Sequence, residues 1–151
     1  MIFAVVYSDK RILKDLTVSI RRCCPDCEVN GFTNPTDVQE FAFRKGCDVL
    51  ITETVLPQPG GIILAEKMKK ANPSLQVIFI TTEPQFALDA IHLDAAGFLL
   101  KPYSHNELLE LLDKVKKQEL LNRIESIYSQ DELDRIAGGS MLDNSILKEK
   151  R

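Results

Sequence analysis

The chain lacks the features that mark several common classes of protein. No run of apolar residues approaches the roughly 18–20 that cross a bilayer, so no contact with a membrane is expected. The formal net charge is −3 and the isoelectric point about 5.4, which argues against direct electrostatic binding of nucleic acid. The apolar start carries no basic leader, so it is interpreted as a strand rather than a signal peptide. These absences predict a cytoplasmic protein.

Residues that build common catalytic centres are also sparse. The two histidines, His92 and His105, have no serine or cysteine at nucleophile spacing, and both are expected at the surface. Neither Gly-x-x-x-x-Gly-Lys nor Gly-x-Gly-x-x-Gly occurs. Gly60-Gly61 is therefore interpreted as a turn that feeds a helix rather than as a phosphate cradle.

Cysteine is limited to four residues, which are expected to be reduced thiols in the absence of an export signal. Cys24 and Cys27 have the Cys-x-x-Cys spacing of a redox pair or of half a zinc site. They lie between a predicted helix and a predicted strand, where a thioredoxin-like pair would not be, and Cys47 stands alone. A zinc site would need a second pair of ligands, so a structural role is favoured.

The chain does contain a regular alternation of short apolar runs and longer helical patterns. Its 151 residues, 44% of them hydrophobic, suit one domain with a sizeable core. Such an alternation predicts an α/β fold with a five-stranded, parallel, doubly wound sheet. The predicted strands are Ile2–Val6, Cys27–Phe32, Val49–Thr52, Val77–Thr81 and Phe98–Leu100.

Capping residues and turn signals mark the predicted helices. Asp9 is placed to cap the first helix, and Asn34-Pro35 starts the second. Two further helices are predicted at Ile62–Lys70 and Pro84–Ala96, and Ser104 and Glu107 have the spacing of a capping box before the last.

The alternation ends near residue 118, so the predicted organisation is a domain at 1–118 and a helical extension with a mobile tail at 119–151. A second capping box occurs at Ser129–Glu132, Gly138-Gly139 would end a short helix, and the tail 140–151 is polar. The extension carries an apolar stripe that we expect to fold back onto the domain or to form a homodimer contact. Its residues are Leu120, Leu121, Ile124, Ile127 and Tyr128.

Glu53 is the most informative residue, because it follows the third predicted strand at the carboxyl edge where open α/β sheets place their chemistry. The chain up to residue 118 resembles the receiver domain of two-component response regulators. The resemblance rests on Asp48–Pro57 followed by Gly60-Gly61, on Phe79–Thr82, and on Ala96–Pro102. It implies a flavodoxin-like, chemotaxis-regulator-like signalling domain that is not an enzyme, with a sensor kinase or a downstream effector as partner.

The family accepts a phosphoryl group on an aspartate, assisted by Mg²⁺ that an acidic pair binds. Carried over residue by residue, the acceptor falls on Glu53, the phosphate-contacting hydroxyl and lysine on Thr81 and Lys101, and the aromatic switch on Phe98. The resemblance also implies that the Lys101-Pro102 bond is often cis.

The acidic pair falls on Tyr7 and Ser8, or on Ser8 and Asp9 after a shift of one residue. At least one carboxylate is missing in either case, and Mg²⁺ requires hard anionic oxygens in a near-octahedral array. No cofactor is therefore expected beyond weakly bound Mg²⁺, for which Asp9 is a weak candidate ligand.

Glu53 departs from the family in a second way, because its extra methylene displaces the carboxylate by roughly an ångström in a reaction that depends on positioning. A displaced carboxylate could form an ion pair with Lys101 and imitate part of the charge of a phosphorylated aspartate.

The resulting hypothesis is an atypical receiver in phosphorelay signalling that acts by protein–protein interaction without standard aspartyl phosphorylation. One alternative is a phosphorylatable receiver of a transcription regulator whose DNA-binding part is absent from this chain. A third, ranked last, is a flavodoxin-like cofactor-binding enzyme. That enzyme would need a phosphate-binding loop after the first strand, where the sequence has no glycine.

Overall fold

A five-stranded parallel sheet with helices on both faces forms the first of two compact units. The computed structural model describes residues 1–128 and 130–139, and it divides the chain into Met1–Lys116 and Lys117–Arg151. The strand order is β2-β1-β3-β4-β5, which confirms the predicted flavodoxin-like receiver fold. The strands are β1 (Ile2–Val6), β2 (Glu28–Phe32), β3 (Val49–Glu53), β4 (Gln76–Thr81) and β5 (Gly97–Leu100).

Helices follow every strand. They are α1 (Lys10–Cys23), α2 (Pro35–Lys45), α3 (Gly61–Ala71), α4 (Ala87–His92), α5 (His105–Ile127) and α6 (Gln130–Gly139). Helix α5 confirms the predicted C-terminal helix. The predicted cap residue Ser129 and the tail 140–151 lie outside the described residues.

The core has two layers, because successive residues of a strand point to opposite faces of the sheet. Phe3, Val5, Ile51 and Ile78 face one side, where they pack with residues of α1 and α5. The other layer packs with α2 and α3, and it contains Ala4, Val6, Leu50, Val77, Phe79, Val38, Leu64 and Met68. The near-continuous apolar strands of the sequence are therefore explained by burial on both faces.

Three predicted helix caps are confirmed. The Asp9 carboxylate accepts hydrogen bonds from the main-chain N–H groups of Arg11 and Ile12. Asn34 caps α2 in the same way through the N–H of Asp37. Ser104 caps α5, and its hydroxyl accepts from the N–H of Glu107 at 3.1 Å. Such caps satisfy main-chain donors that have no partner within the helix.

The predicted helix at Pro84–Ala96 is too long. A single 3₁₀ turn at Pro84–Phe86 precedes α4, which ends at His92. Asp94 adopts a positive φ of 52°, and the N–H of Ala95 bonds back to the carbonyl of Ala90 at 2.9 Å. A left-handed residue with such a backward bond ends a helix even without glycine, and aspartate tolerates this conformation better than most residues.

The prediction of four reduced cysteines is wrong for Cys24 and Cys27, which form a disulfide. The turn between α1 and β2 brings their Cα atoms to 5.5 Å, and the N–H of Cys27 donates to the carbonyl of Cys24 at 3.0 Å. Cys23 and Cys47 are free thiols.

The Lys101-Pro102 bond is cis, as the resemblance implied, and so is Gln58-Pro59. None of the helices within residues 1–128 and 130–139 is both long and apolar enough to cross a membrane.

Candidate functional site

The residues singled out in the sequence meet at the carboxyl edge of the sheet. Glu53 and Thr81 are the last residues of β3 and β4, while Tyr7 and Lys101 directly follow β1 and β5. These four strands are neighbours in the order β1-β3-β4-β5, and the carboxyl ends of parallel strands share one edge. The fold therefore brings one carboxylate, one hydroxyl, one phenol and one amine to the same side of the molecule.

Glu53 is held by the residue that follows Tyr7. Its Oε1 atom accepts a hydrogen bond from the main-chain N–H of Ser8 at 2.6 Å and a second from the Ser8 hydroxyl at 2.5 Å. The side chain is largely buried, with 9% of its surface exposed. Hydrogen bonds to an ionised carboxylate are stronger than those between neutral groups. The loop after β1 thus fixes the carboxylate at the end of β3.

Lys101 reaches across the edge to Tyr7, although β3 and β4 lie between the strands that carry them. Its Nζ atom donates a hydrogen bond to the Tyr7 hydroxyl oxygen. The same nitrogen lies 4.6 Å from the centroid of the Tyr7 ring, at its hydroxyl end. Partial burial lowers the pKa of the Lys101 amine from its ordinary value. The lysine is therefore engaged by an aromatic residue at a position where the family has a carboxylate.

The Thr81 hydroxyl is also engaged. Its oxygen accepts hydrogen bonds from the Thr54 hydroxyl at 2.8 Å and from the main-chain N–H of Glu83 at 3.1 Å. Thr54 and Thr81 are both buried. Thr54 was missed in the sequence, where the only available signal was a hydroxyl directly after Glu53 at a strand end.

The ion pair considered between Glu53 and Lys101 is absent from the part of the chain that the structure describes. The carboxylate turns to the two donors of Ser8, and the amine turns to Tyr7. The physical reason is that the loop after β1 supplies a neutral partner for each group, Ser8 for the carboxylate and Tyr7 for the amine.

Phe98, the expected switch residue, lies on β5 and is partly buried against the layer that contains Phe79. His92 and His105 are both exposed, as predicted. The sequence therefore placed these residues at the carboxyl edge of the sheet, as the structure does. The contacts between their side chains could be seen only in the structure.

Residues suited to Mg²⁺ are few at this edge. Asp9 uses its carboxylate to cap α1, and Glu53 already accepts two hydrogen bonds from Ser8. Within the described residues, no group of three Asp, Glu, His or Cys side chains is placed to bind one metal ion. Mg²⁺ prefers several anionic oxygens and releases its own water reluctantly. The donor set at this edge does not fit the ion.

The loop after β3 approaches the main chain of Glu53 closely. Gly60 has a positive φ of 89°, and Gly61 begins α3. The N–H of Gly61 donates to the carbonyl of Thr54 at 2.9 Å. A Cβ atom on Gly61 would lie 2.0 Å from the Glu53 carbonyl oxygen. The glycine pair therefore serves as a turn into a helix, as predicted, and it also fits α3 tightly against the site.

Replacing Ser8 by alanine is expected to lower the free energy of unfolding by about 1–2 kcal/mol, because a hydrogen bond to a largely buried carboxylate is lost. A double-mutant cycle with Glu53→Ala, followed by chemical denaturation, isolates the coupling. Ser74→Ala is the matched control, since the Ser74 hydroxyl makes no hydrogen bond to any described residue. Equal effects of Ser8→Ala and Ser74→Ala would contradict the prediction.

Comparison with known proteins agrees with the fold. The family model of the response regulator receiver domain matches residues 4–113. The chain therefore belongs to the receiver domain family of two-component signal transduction. Members of this family are signalling domains that bind Mg²⁺ at the phosphorylation site and interact with sensor kinases and effectors.

Two curated relatives are sensory transduction proteins. LytR of Staphylococcus haemolyticus is 30% identical over 115 residues, which cover 72% of this chain and 42% of the relative. LytT of Bacillus subtilis is 25% identical over 118 residues, which cover 78% of this chain and 49% of the relative. The chain thus spans about half the length, or less, of the curated relatives that it matches.

Solved structures show the same fold. The response regulatory domain of MrkE from Klebsiella pneumoniae superimposes with a TM-score of 0.74 at 23% identity, covering 80% of this chain and 99% of that domain. A receiver domain protein from Clostridium thermocellum gives a TM-score of 0.70 at 21% identity, covering 80% of this chain and 98% of the other.

Proposed function

We propose that this chain is an atypical receiver that signals through protein–protein contacts and does not depend on aspartyl phosphorylation. The observation that carries the proposal is the pair of hydrogen bonds from Ser8 to the Glu53 carboxylate. A phosphoryl acceptor needs a free oxygen in line with the incoming phosphorus atom. At the acceptor position here, two donors of the loop after β1 bind Oε1 and so fix the orientation of a carboxylate that is one methylene longer than the aspartate of the family.

The groups that would receive the transferred phosphate support the same proposal. The Lys101 amine is bound to Tyr7, and the Thr81 oxygen already accepts two hydrogen bonds. This donor set fits Mg²⁺ poorly, which weakens binding of the ion that would neutralise the developing charge. Each departure weakens phosphoryl transfer to the acceptor. Together they favour a receiver whose signal depends on the unphosphorylated conformation of the carboxyl edge of the sheet.

Exposed apolar residues on α4 and β5 support a role in protein–protein contact. Leu88 and Ile91 on α4 are 65% and 71% exposed, and Leu100 on β5 is 39% exposed. Apolar residues that cluster on a surface mark interaction sites. We propose that this face binds a sensor kinase or a downstream effector in the cytoplasm, and that the chain itself binds neither nucleic acid nor membrane.

The helical extension supports a homodimer. Leu120, Leu121, Ile127 and Tyr128 are all more than 40% exposed, and so is Ile136 of α6. Burial of each large apolar side chain in a partner would contribute about 1.5–3 kcal/mol. Sedimentation at the monomer mass would contradict this part of the proposal.

A second candidate is a phosphorylatable receiver of a transcription regulator. It is favoured by one comparison, since the transcriptional regulatory protein YpdB of Escherichia coli is 26% identical over 88 residues, which cover 58% of this chain and 36% of that protein. The flavodoxin-like cofactor-binding enzyme is not proposed further, because the chain belongs to the receiver family.

A titration with MgCl₂ followed by amide NMR separates the two candidates. We expect no saturable shift of the Ser8, Asp9 and Thr54 amide signals at millimolar Mg²⁺, because the edge lacks the carboxylates that the ion requires. CaCl₂ and NaCl at matched ionic strength are the controls for screening effects. Saturable shifts confined to this edge with Mg²⁺ would favour the phosphorylatable receiver.

A further inference from the structure

A groove between α2 and α3 lies away from the edge that carries Glu53 and away from the exposed apolar residues of α4 and β5. It has a volume of about 360 Å³ and is lined by Ala42, Met68 and Leu75 together with polar side chains. Phe43 also lines it, and this residue is 92% exposed to solvent. An aromatic ring this exposed beside an apolar groove contributes nothing to the core of the domain.

Basic residues outnumber acidic ones, five to three, on the two helices that form the groove. The last turns of the two helices carry Arg44 and Lys45 on α2 and Lys69 and Lys70 on α3. Three of these four cations are already paired with carboxylates. The pairs are Arg44–Glu40 at 3.9 Å, Lys70–Glu66 at 3.8 Å and Lys45–Glu28 at 2.9 Å. Lys67, which lines the groove, has no acidic partner anywhere in the described chain.

Cys47 at the floor of the groove is not a reactive site. Its side chain is 7% exposed, and its thiol donates to the carbonyl of Val49. Burial, with a smaller contribution from the neighbouring Asp48 carboxylate, raises the pKa of Cys47 to about 12. The thiol therefore stays protonated at neutral pH and acts as part of an apolar surface.

We propose that this groove binds an acidic peptide segment of a partner protein. An apolar side chain of the peptide would fill the groove beside Phe43, and a carboxylate next to it would pair with Lys67. Buried aromatic anchors within a rim of complementary charge are typical of the residues that dominate binding energy. The exposed Phe43 favours a protein segment over a small ligand, because a small ligand inside the groove would leave most of the ring in water.

The test is selection of a random peptide library, displayed on phage, against the full chain, with the double variant Phe43→Ala, Lys67→Glu as the counter-selection target. We expect enriched peptides that combine acidic residues with an aromatic or aliphatic anchor. The selected peptide, made synthetically, should bind about tenfold or more weakly to each single variant. Lys14→Glu and Ile12→Ala on α1 are the matched controls, since they make comparable changes at exposed positions elsewhere, and their affinities should equal that of the wild type.

Several results would overturn the proposal. They are a failure to enrich any peptide over the counter-selected variant, enrichment of peptides without acidic residues, and binding that Lys67→Glu leaves unchanged. A change in sedimentation mass caused by Phe43→Ala would assign the groove to a second copy of the chain instead. Circular dichroism of the variants shows whether they are folded. The inference does not depend on the state of Glu53, so a failure here leaves the proposed function intact.

Discussion

The double substitution Ser8→Asp, Glu53→Asp is expected to create metal-dependent labelling by acetyl phosphate where the wild type shows none. The first change replaces the hydroxyl that binds Oε1 by a carboxylate, which repels the acceptor and offers an anionic oxygen to Mg²⁺. The second shortens the acceptor by one methylene and restores the residue that the family uses. Intact mass spectrometry with and without MgCl₂ would detect the phosphoryl group as an added mass.

The single variants serve as controls for the double one. Ser8→Asp alone leaves the longer side chain in place, and Glu53→Asp alone leaves one carboxylate too few, so each should label more slowly than the pair. Labelling of the double variant that does not require the metal would contradict this account. A folded but inert double variant would show that the contact between Lys101 and Tyr7 blocks transfer as well.

The second large effect concerns stability. Gly61→Ala is expected to lower the free energy of unfolding by about 2–3 kcal/mol, because the new methyl group would lie 2.0 Å from the carbonyl oxygen of Glu53. The nearby atoms are main chain and cannot rotate away, so α3 or the end of β3 has to move. Urea denaturation monitored by circular dichroism measures the loss.

Gly31→Ala is the matched control for this prediction. Its added Cβ would meet side-chain atoms of Leu13 and Thr17 at 3.3 Å, which can adjust by a few tenths of an ångström. Both substitutions reduce the entropy of the unfolded chain in the same way, so their difference isolates the clash. Equal stabilities of the two variants would show that the approach of Gly61 to Glu53 is not as tight as described.

Much of the fold was predictable because its signals are local. The near-continuous apolar strands and the caps Asp9, Asn34 and Ser104 each act within a few residues, and together they imply five β-α units. The end of α4 was missed because Asp94 replaces the glycine that ordinarily marks such a stop. The pairing of Cys24 with Cys27 depends on how a turn folds, which the spacing alone does not determine.

The location of the candidate site could be predicted from the sequence, but the contacts between its side chains could not. Parallel strands bring their carboxyl ends together, so the positions of Glu53, Thr81 and Lys101 followed from the strand assignments. The partners of these residues depend on side-chain reach across neighbouring strands. Lys101 crosses two strands to meet Tyr7, and no spacing in the sequence encodes that distance.

The measurement that bears most directly on the central claim uses the wild-type chain alone. The protein is incubated with acetyl phosphate and saturating MgCl₂, and its intact mass is recorded over time. We expect the mass to stay unchanged, because the Glu53 carboxylate is held by Ser8 in a setting unsuited to Mg²⁺. A metal-dependent gain of one phosphoryl group that disappears in Glu53→Gln would contradict the claim.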